Sequence, residues 1–153
     1  MEEYRKGAQN NLMNKGIYIL LTRLRNSKKI KTGKIKYMIF QRGYYCYVGS
    51  ALNNLDKRLK RHLTKHKKMR WHIDYFLRHA EIIGVKVKIT NKKEECDVNK
   101  KIGHISLKTI HKFGSSDCKC QGHLHYFKKN PLHHPAIDNF LEISRIKKIK
   151  KFI

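Results

Sequence analysis

The chain has 153 residues, the length of one domain or of one domain with tails. Its 36 Lys+Arg against 11 Asp+Glu leave a formal net charge of +25, which excludes a protein built to gather cations, such as a calcium buffer. That charge points to a polyanion, nucleic acid before an anionic membrane surface, while 40% hydrophobic residues exclude full disorder.

Residues 1–14 are polar and read as a lead-in; Met1-Glu2-Glu3-Tyr4-Arg5 lacks the basic-then-apolar order of a signal peptide. The apolar run Gly16-Ile17-Tyr18-Ile19-Leu20-Leu21 reads as a strand buried on both faces. Residues 26–33 form a basic connector, and residues 35–40 a second strand. After the turn signal Arg42-Gly43 comes a third strand, Tyr44-Tyr45-Cys46-Tyr47-Val48, rich in aromatic and β-branched types. The period then switches. Leu55, Leu59 and Leu63 lie four apart behind Asn54, a fitting N-cap, and predict a helix with a cationic outer face.

A second helix is expected over residues 71–79, packing through Trp71, Tyr75 and Phe76. Val85-Lys86-Val87-Lys88-Ile89 alternates as a half-exposed edge strand, with lysines guarding its solvent side. A short helix over 94–102 and a loop over 113–127, dense in Gly, Ser, Cys and His, follow. The tail, 143–153, is Lys-rich with interleaved Ile and fits an amphipathic helix or a basic arm. No run of about 18 apolar residues exists to span a membrane. Four cysteines (Cys46, Cys96, Cys118, Cys120) are too few and too irregular for a secreted disulfide framework, so a cytoplasmic location is expected.

Tyr18 stands near the start of the first strand and Tyr47 near the end of the third. Arg58 and His62, four apart, share one helix face, and Glu95 follows the alternating strand. These types suit phosphodiester hydrolysis. A carboxylate holds a hard divalent cation that neutralises phosphate charge, Arg reaches phosphate oxygens in a fork, and a phenol or imidazole takes a proton from water. Lys57, Lys60, Arg61 and Lys65 add candidate backbone contacts to nucleic acid.

Gly16-Ile17-Tyr18 followed by Tyr47-Val48-Gly49 resembles the signature of the GIY-YIG nucleases. The strings Tyr45-Cys46-Tyr47-Val48-Gly49-Ser50-Ala51, Trp71-His72-Ile73-Asp74-Tyr75 and Phe113-Gly114-Ser115-Ser116-Asp117-Cys118 look like one branch of that superfamily, found in archaea and bacteria and sometimes joined to an endonuclease III-type glycosylase. The resemblance spans residues 15–127 and implies an α+β fold: a small central three-stranded antiparallel sheet flanked by helices. Residues 128–153 are then a basic C-terminal extension. It also implies DNA cutting with one divalent metal, magnesium or manganese. Tyr18 and Tyr47 match the family tyrosines, Arg58 the phosphate-stabilising arginine, and His62 a position held by histidine or tyrosine. Glu95 is the candidate metal ligand, with Glu94, Asp97 and Glu81 as competing carboxylates, and Ser116 or Asp117 stands for the family's late asparagine.

Cys118, Cys120, His123 and His125 are zinc ligands by type, though tightly spaced for one loop; Cys46 or Cys96 would complete a site in space. A reduced, buried thiol pair is the competing reading. Two functions are carried forward. One is a metal-dependent DNA endonuclease directed to structure or damage, in repair or recombination. The other is a non-catalytic nucleic-acid-binding module on the same fold, with RNA as a candidate partner.

Overall fold

The computed structural model describes residues 15–33, 36–115 and 118–142. β1 (Gly16–Leu24) runs through the middle of an antiparallel sheet, between β4 (Gly43–Ala51) and β5 (Glu81–Ile89). With a strand on each side and both faces covered, every β1 side chain but Arg23 is buried, as a continuous apolar run demands. β7 (Leu124–Phe127) pairs with β4 and the two-residue β6 (Lys108–Thr109) with β7, while β8 (Leu141–Glu142) pairs with β5. Among the described residues the order is β6-β7-β4-β1-β5-β8.

Side-chain alternation splits the core into two layers. Tyr18, Leu20 and Leu24 join Tyr45, Leu55, Leu59, Ile73 and Phe76, so α1 (Leu55–Leu63) and α2 (His72–Phe76) cover one face. Ile17, Ile19 and Leu21 meet Cys46, Val48, Val98, Ile102 and Ile137, so α3 (Glu95–Ile105) and α4 (Pro135–Asp138) cover the other.

A mixed α/β fold built on an antiparallel sheet stands as expected, but several expectations need correcting. The sheet has six strands among the described residues, not three. The connector at 26–33 contains β2 (Lys28–Lys31), which pairs with β3 (Tyr37–Phe40) in a separate hairpin. The second expected strand is therefore outside the main sheet. Its Ile30 and Phe40 anchor it on the core while Tyr37 and Ile39 face solvent. The loop at 113–127 ends in β7, every residue of which is buried, because that strand closes the β4 edge. Helix α2 stops at Phe76, and α3 runs on to Ile105.

The alternating segment 85–89 is not an edge. Lys86 is buried, with its Nζ 3.6 Å from Asp138 Oδ1, because α4 brings a carboxylate over that face and β8 takes up the free edge. Lysine's long apolar stem makes such burial tolerable once the head finds a charge partner. Residues 135–142, expected in the extension, thus belong to the folded body. The Lys-rich tail at 143–153 lies outside the described residues.

Candidate active site and a cysteine–histidine cluster

The register of β1 on β4 sets Tyr18 opposite Gly49 and Leu20 opposite Tyr47. A Cβ on Gly49 would fall on the Tyr18 ring, so only glycine lets that ring lie flat across β4. The rings of Tyr18 and Tyr47 come together at 6.4 Å between centroids. Above them, Asn54 Oδ1 accepts from Lys57 N at 2.9 Å and starts α1. The buried stripe of α1 is Leu55, Leu59 and His62, spaced as one helical face. His62 is consequently inside, and its Nε2 lies 2.7 Å from the Tyr18 hydroxyl.

Arg58, one turn back, donates from Nη1 to the Ser50 carbonyl at 3.2 Å, and its guanidinium lies 4.6 Å from the Trp71 ring centroid. It also sits beside the Tyr18 phenol. Tyr18 and Arg58 are therefore neighbours on one face of the sheet. Glu95 opens α3 at the same end, near enough for its charge to be felt by both tyrosines.

Burial governs the electrostatics. It raises the Tyr18 hydroxyl well above its ordinary value, with Tyr47 adding to the rise and Arg58 opposing it. Tyr47 is raised by burial and then by Glu95. The His62 imidazole is pushed down to about 3, by burial first and by Lys67 next. Both phenols are therefore protonated, and the imidazole neutral, at neutral pH. Tyr18 is closed off from solvent, whereas Tyr47 is half-buried and keeps a surface.

The carboxylates sort by partner. Glu94 pairs with Lys88 at 3.0 Å and Glu81 with Arg25 at 3.2 Å. Asp97 is exposed one residue beyond Cys96. Glu95 makes no ion pair among the described residues and is half-buried, with its charge reaching both tyrosines. Of the basic residues on and after α1, Lys57 and Lys65 are exposed and Lys60 pairs with Asp56 at 3.1 Å. Arg61 has its fork occupied: it binds both oxygens of Asp74 at 2.7 and 2.8 Å and the Lys68 carbonyl at 2.9 Å. Arg61 ties α1 to α2 through that buried carboxylate.

A second constellation adjoins the first. Cys96, Cys118, Cys120 and His123 bring their ligand atoms within 4.8 Å of one another, a group that can hold a metal ion. Cys118 Sγ lies 3.1 Å from His123 Nε2, and His123 Nδ1 lies 3.0 Å from the Val48 carbonyl oxygen. The Cys96 thiol is pushed up to about 12, chiefly by hydrogen bonding with Cys120 and then by burial. Cys96 is the completing residue; Cys46 is not in the group and is fully buried in the core layer beneath α3. His125 is not in the group: its Nε2 meets Asn99 at 2.6 Å and its Nδ1 meets Thr109 at 2.8 Å. Ser116 and Asp117 lie outside the described residues.

Sequence reasoning treated Trp71 as packing alone. The structure also sets its ring under both Arg58 and Arg61, at 4.6 and 4.2 Å, and the one signal available was a lone tryptophan just beyond a basic helix.

No helix of the described residues is long and apolar enough to cross a membrane. No curated protein and no solved structure matches the chain. A family model, the domain of unknown function DUF123, matches residues 17–145.

Proposed function

We propose, for a chain that belongs to the DUF123 family of domains of unknown function, that it is a metal-dependent DNA endonuclease acting in repair or recombination. The observation that carries this reading is the gathering of Tyr18, Tyr47, Arg58, His62 and Glu95 at one end of the sheet, from separate stretches of chain. A protein that bound nucleic acid by charge alone would need none of that convergence. The net charge of +25 supports a polyanionic substrate.

Arg58 stabilises the phosphate as it becomes five-coordinate. The Ser50 carbonyl and the Trp71 ring hold its guanidinium in place, leaving other N–H groups of the fork for a phosphate oxygen. Tyr47, the phenol with free surface, orients the attacking water by a hydrogen bond. Tyr18, held by His62, is a positioning residue that keeps Tyr47 and Arg58 in register.

Burial keeps both phenols protonated and the imidazole neutral, so these groups orient the water and its proton leaves to solvent. The phosphorus–oxygen bond in line with the attack breaks, and the departing alkoxide is protonated from solvent. The donor set at Glu95, a half-buried carboxylate with no ion pair among the described residues, fits a hard cation that keeps most of its water. Magnesium or manganese bound there would neutralise phosphate charge and lower the pKa of nearby water.

The test is conversion of supercoiled plasmid to nicked circle with and without magnesium or manganese, for the wild type, Tyr47→Phe and Arg58→Ala. Metal-dependent nicking that Arg58→Ala abolishes supports the reading. Tight binding to DNA or RNA with no cutting under either metal replaces it with a binding module.

A further inference from the structure

We infer that Cys96, Cys118, Cys120 and His123 form a structural zinc site that clamps the loop after β6 to the first turn of α3. The donor set is soft and complete: three sulfurs and one imidazole fill a tetrahedral shell and leave no open position. A tetrahedral zinc ion requires edges of about 3.8 Å between sulfurs and about 3.6 Å between sulfur and nitrogen. The four ligand atoms already lie within 4.8 Å of one another, with Cys118 Sγ and His123 Nε2 at 3.1 Å, so small side-chain adjustments close the shell.

The imidazole is prepared for the role. His123 Nδ1 lies 3.0 Å from the Val48 carbonyl, an oxygen that only accepts; the proton therefore sits on Nδ1, and the lone pair of Nε2 faces the sulfurs. His123 is itself locked to the sheet, since its carbonyl accepts from Val48 N at 3.0 Å and its N–H donates to the Phe113 carbonyl at 2.7 Å. Hard magnesium is the wrong ion for three thiolates, so this site and the one at Glu95 take different metals.

The clamp joins two parts of the candidate active site. Cys96 directly follows Glu95 in the first turn of α3. The loop carrying Cys118 packs on Tyr47 through Gly114, where a Cβ would lie 3.3 Å from the tyrosine ring. Zinc at the four ligands would hold Glu95 and Tyr47 in fixed relation. This link to cutting rests on the nuclease reading; the zinc site does not.

Elemental analysis of the purified full-length chain is expected to find one zinc per chain. Exchange for cobalt should give the intense visible bands and sulfur-to-metal charge transfer of a tetrahedral thiolate site. Cys118→Ser should lower zinc content at least tenfold, and Cys46→Ala should leave it unchanged. If Cys118→Ser does not fold, blocking the thiols of the wild type with a mercurial should release the zinc into a colorimetric chelator.

Folded wild type with under a tenth of an equivalent of zinc, iron in its place, or an octahedral cobalt spectrum would overturn the site. Glu95→Gln should keep full zinc while slowing nicking about a hundredfold, which separates the two metals. Zinc-stripped protein that nicks at the full rate would overturn the positioning role and leave the site standing.

Discussion

At the scale of single residues, charge and burial decide which groups titrate. Glu95→Gln preserves shape and removes the charge that attracts a hard cation. It should slow nicking by about a hundredfold, equivalent to about 3 kcal/mol of transition-state stabilisation, with DNA affinity nearly unchanged. Unaltered nicking would move the ligand to Asp97.

Two further groups govern stability in acid. The His62 imidazole is lowered from 6.5 to about 3, so the unfolded chain binds its proton more readily. Its share of stability is complete above pH 6.5 and drains as pH falls towards 3, at roughly 1.4 kcal/mol per pH unit. Burial would raise the Asp74 carboxyl, but the Arg61 fork and the N–H groups of Trp71 and Arg70 hold it down at about 2, against 3.8. That stability is present above about pH 4 and is lost between there and 2. Urea melts at stepped pH should show stability falling from pH 6.5 downward, and a profile flat between pH 6.5 and 4.5 would remove His62 from the account. The same protonation states predict a nicking rate that rises smoothly from pH 6 to 8, with no inflection from an imidazole.

At the scale of elements, the β1–β4 pair and α1 form the frame of the candidate site. Gly49→Ala would thrust a methyl group into the Tyr18 ring, since backbone register leaves that ring nowhere else to lie. The expected cost is about 1–3 kcal/mol, with nicking impaired beyond that loss because Tyr18 is displaced from His62. Differential scanning calorimetry and the plasmid assay on one preparation check both halves. Trp71→Ala removes the ring beneath Arg58 and Arg61 while leaving the Arg61–Asp74 bridge intact. It should lower nicking about fivefold, in keeping with removal of a cation–π interaction of about 1 kcal/mol, with melting temperature little changed. A large fall in melting temperature would instead make Trp71 a core residue first.

For the whole molecule, the excess of positive charge predicts strong, salt-sensitive binding to any duplex. Lys57 and Lys65 are exposed on and just after α1, whereas Arg61 is engaged with Asp74 and Lys60 with Asp56. Replacing Lys57 and Lys65 together by alanine should flatten the slope of log affinity against log salt by about 1.8, since each phosphate that a lysine neutralises adds about 0.9. Stability and the cutting rate at saturating DNA should be unchanged. Filter binding or fluorescence anisotropy across a salt series measures the slope, and an unaltered one would place the duplex on another face.

The amino-acid sequence alone determined the strands and helices whose period is strong. The apolar run in β1, the aromatic run in β4 and the leucine stripe of α1 need only local alternation to be read. Tyr18 and Tyr47 stood out through the resemblance of the Gly16-Ile17-Tyr18 and Tyr47-Val48-Gly49 strings, and helical spacing alone put Arg58 and His62 on one face. Tertiary structure decided what depends on distant partners. β7 hides in a Gly- and Cys-rich stretch because four residues carry little periodicity, and only pairing with β4 makes them a strand. Lys86 reads as a solvent-facing residue until α4 supplies Asp138. Arg61 looks like a phosphate-binding residue until α2 folds Asp74 beneath it. Cys96 joins Cys118, Cys120 and His123 only because α3 and the loop before β7 meet at one end of the sheet, a proximity that local sequence does not encode.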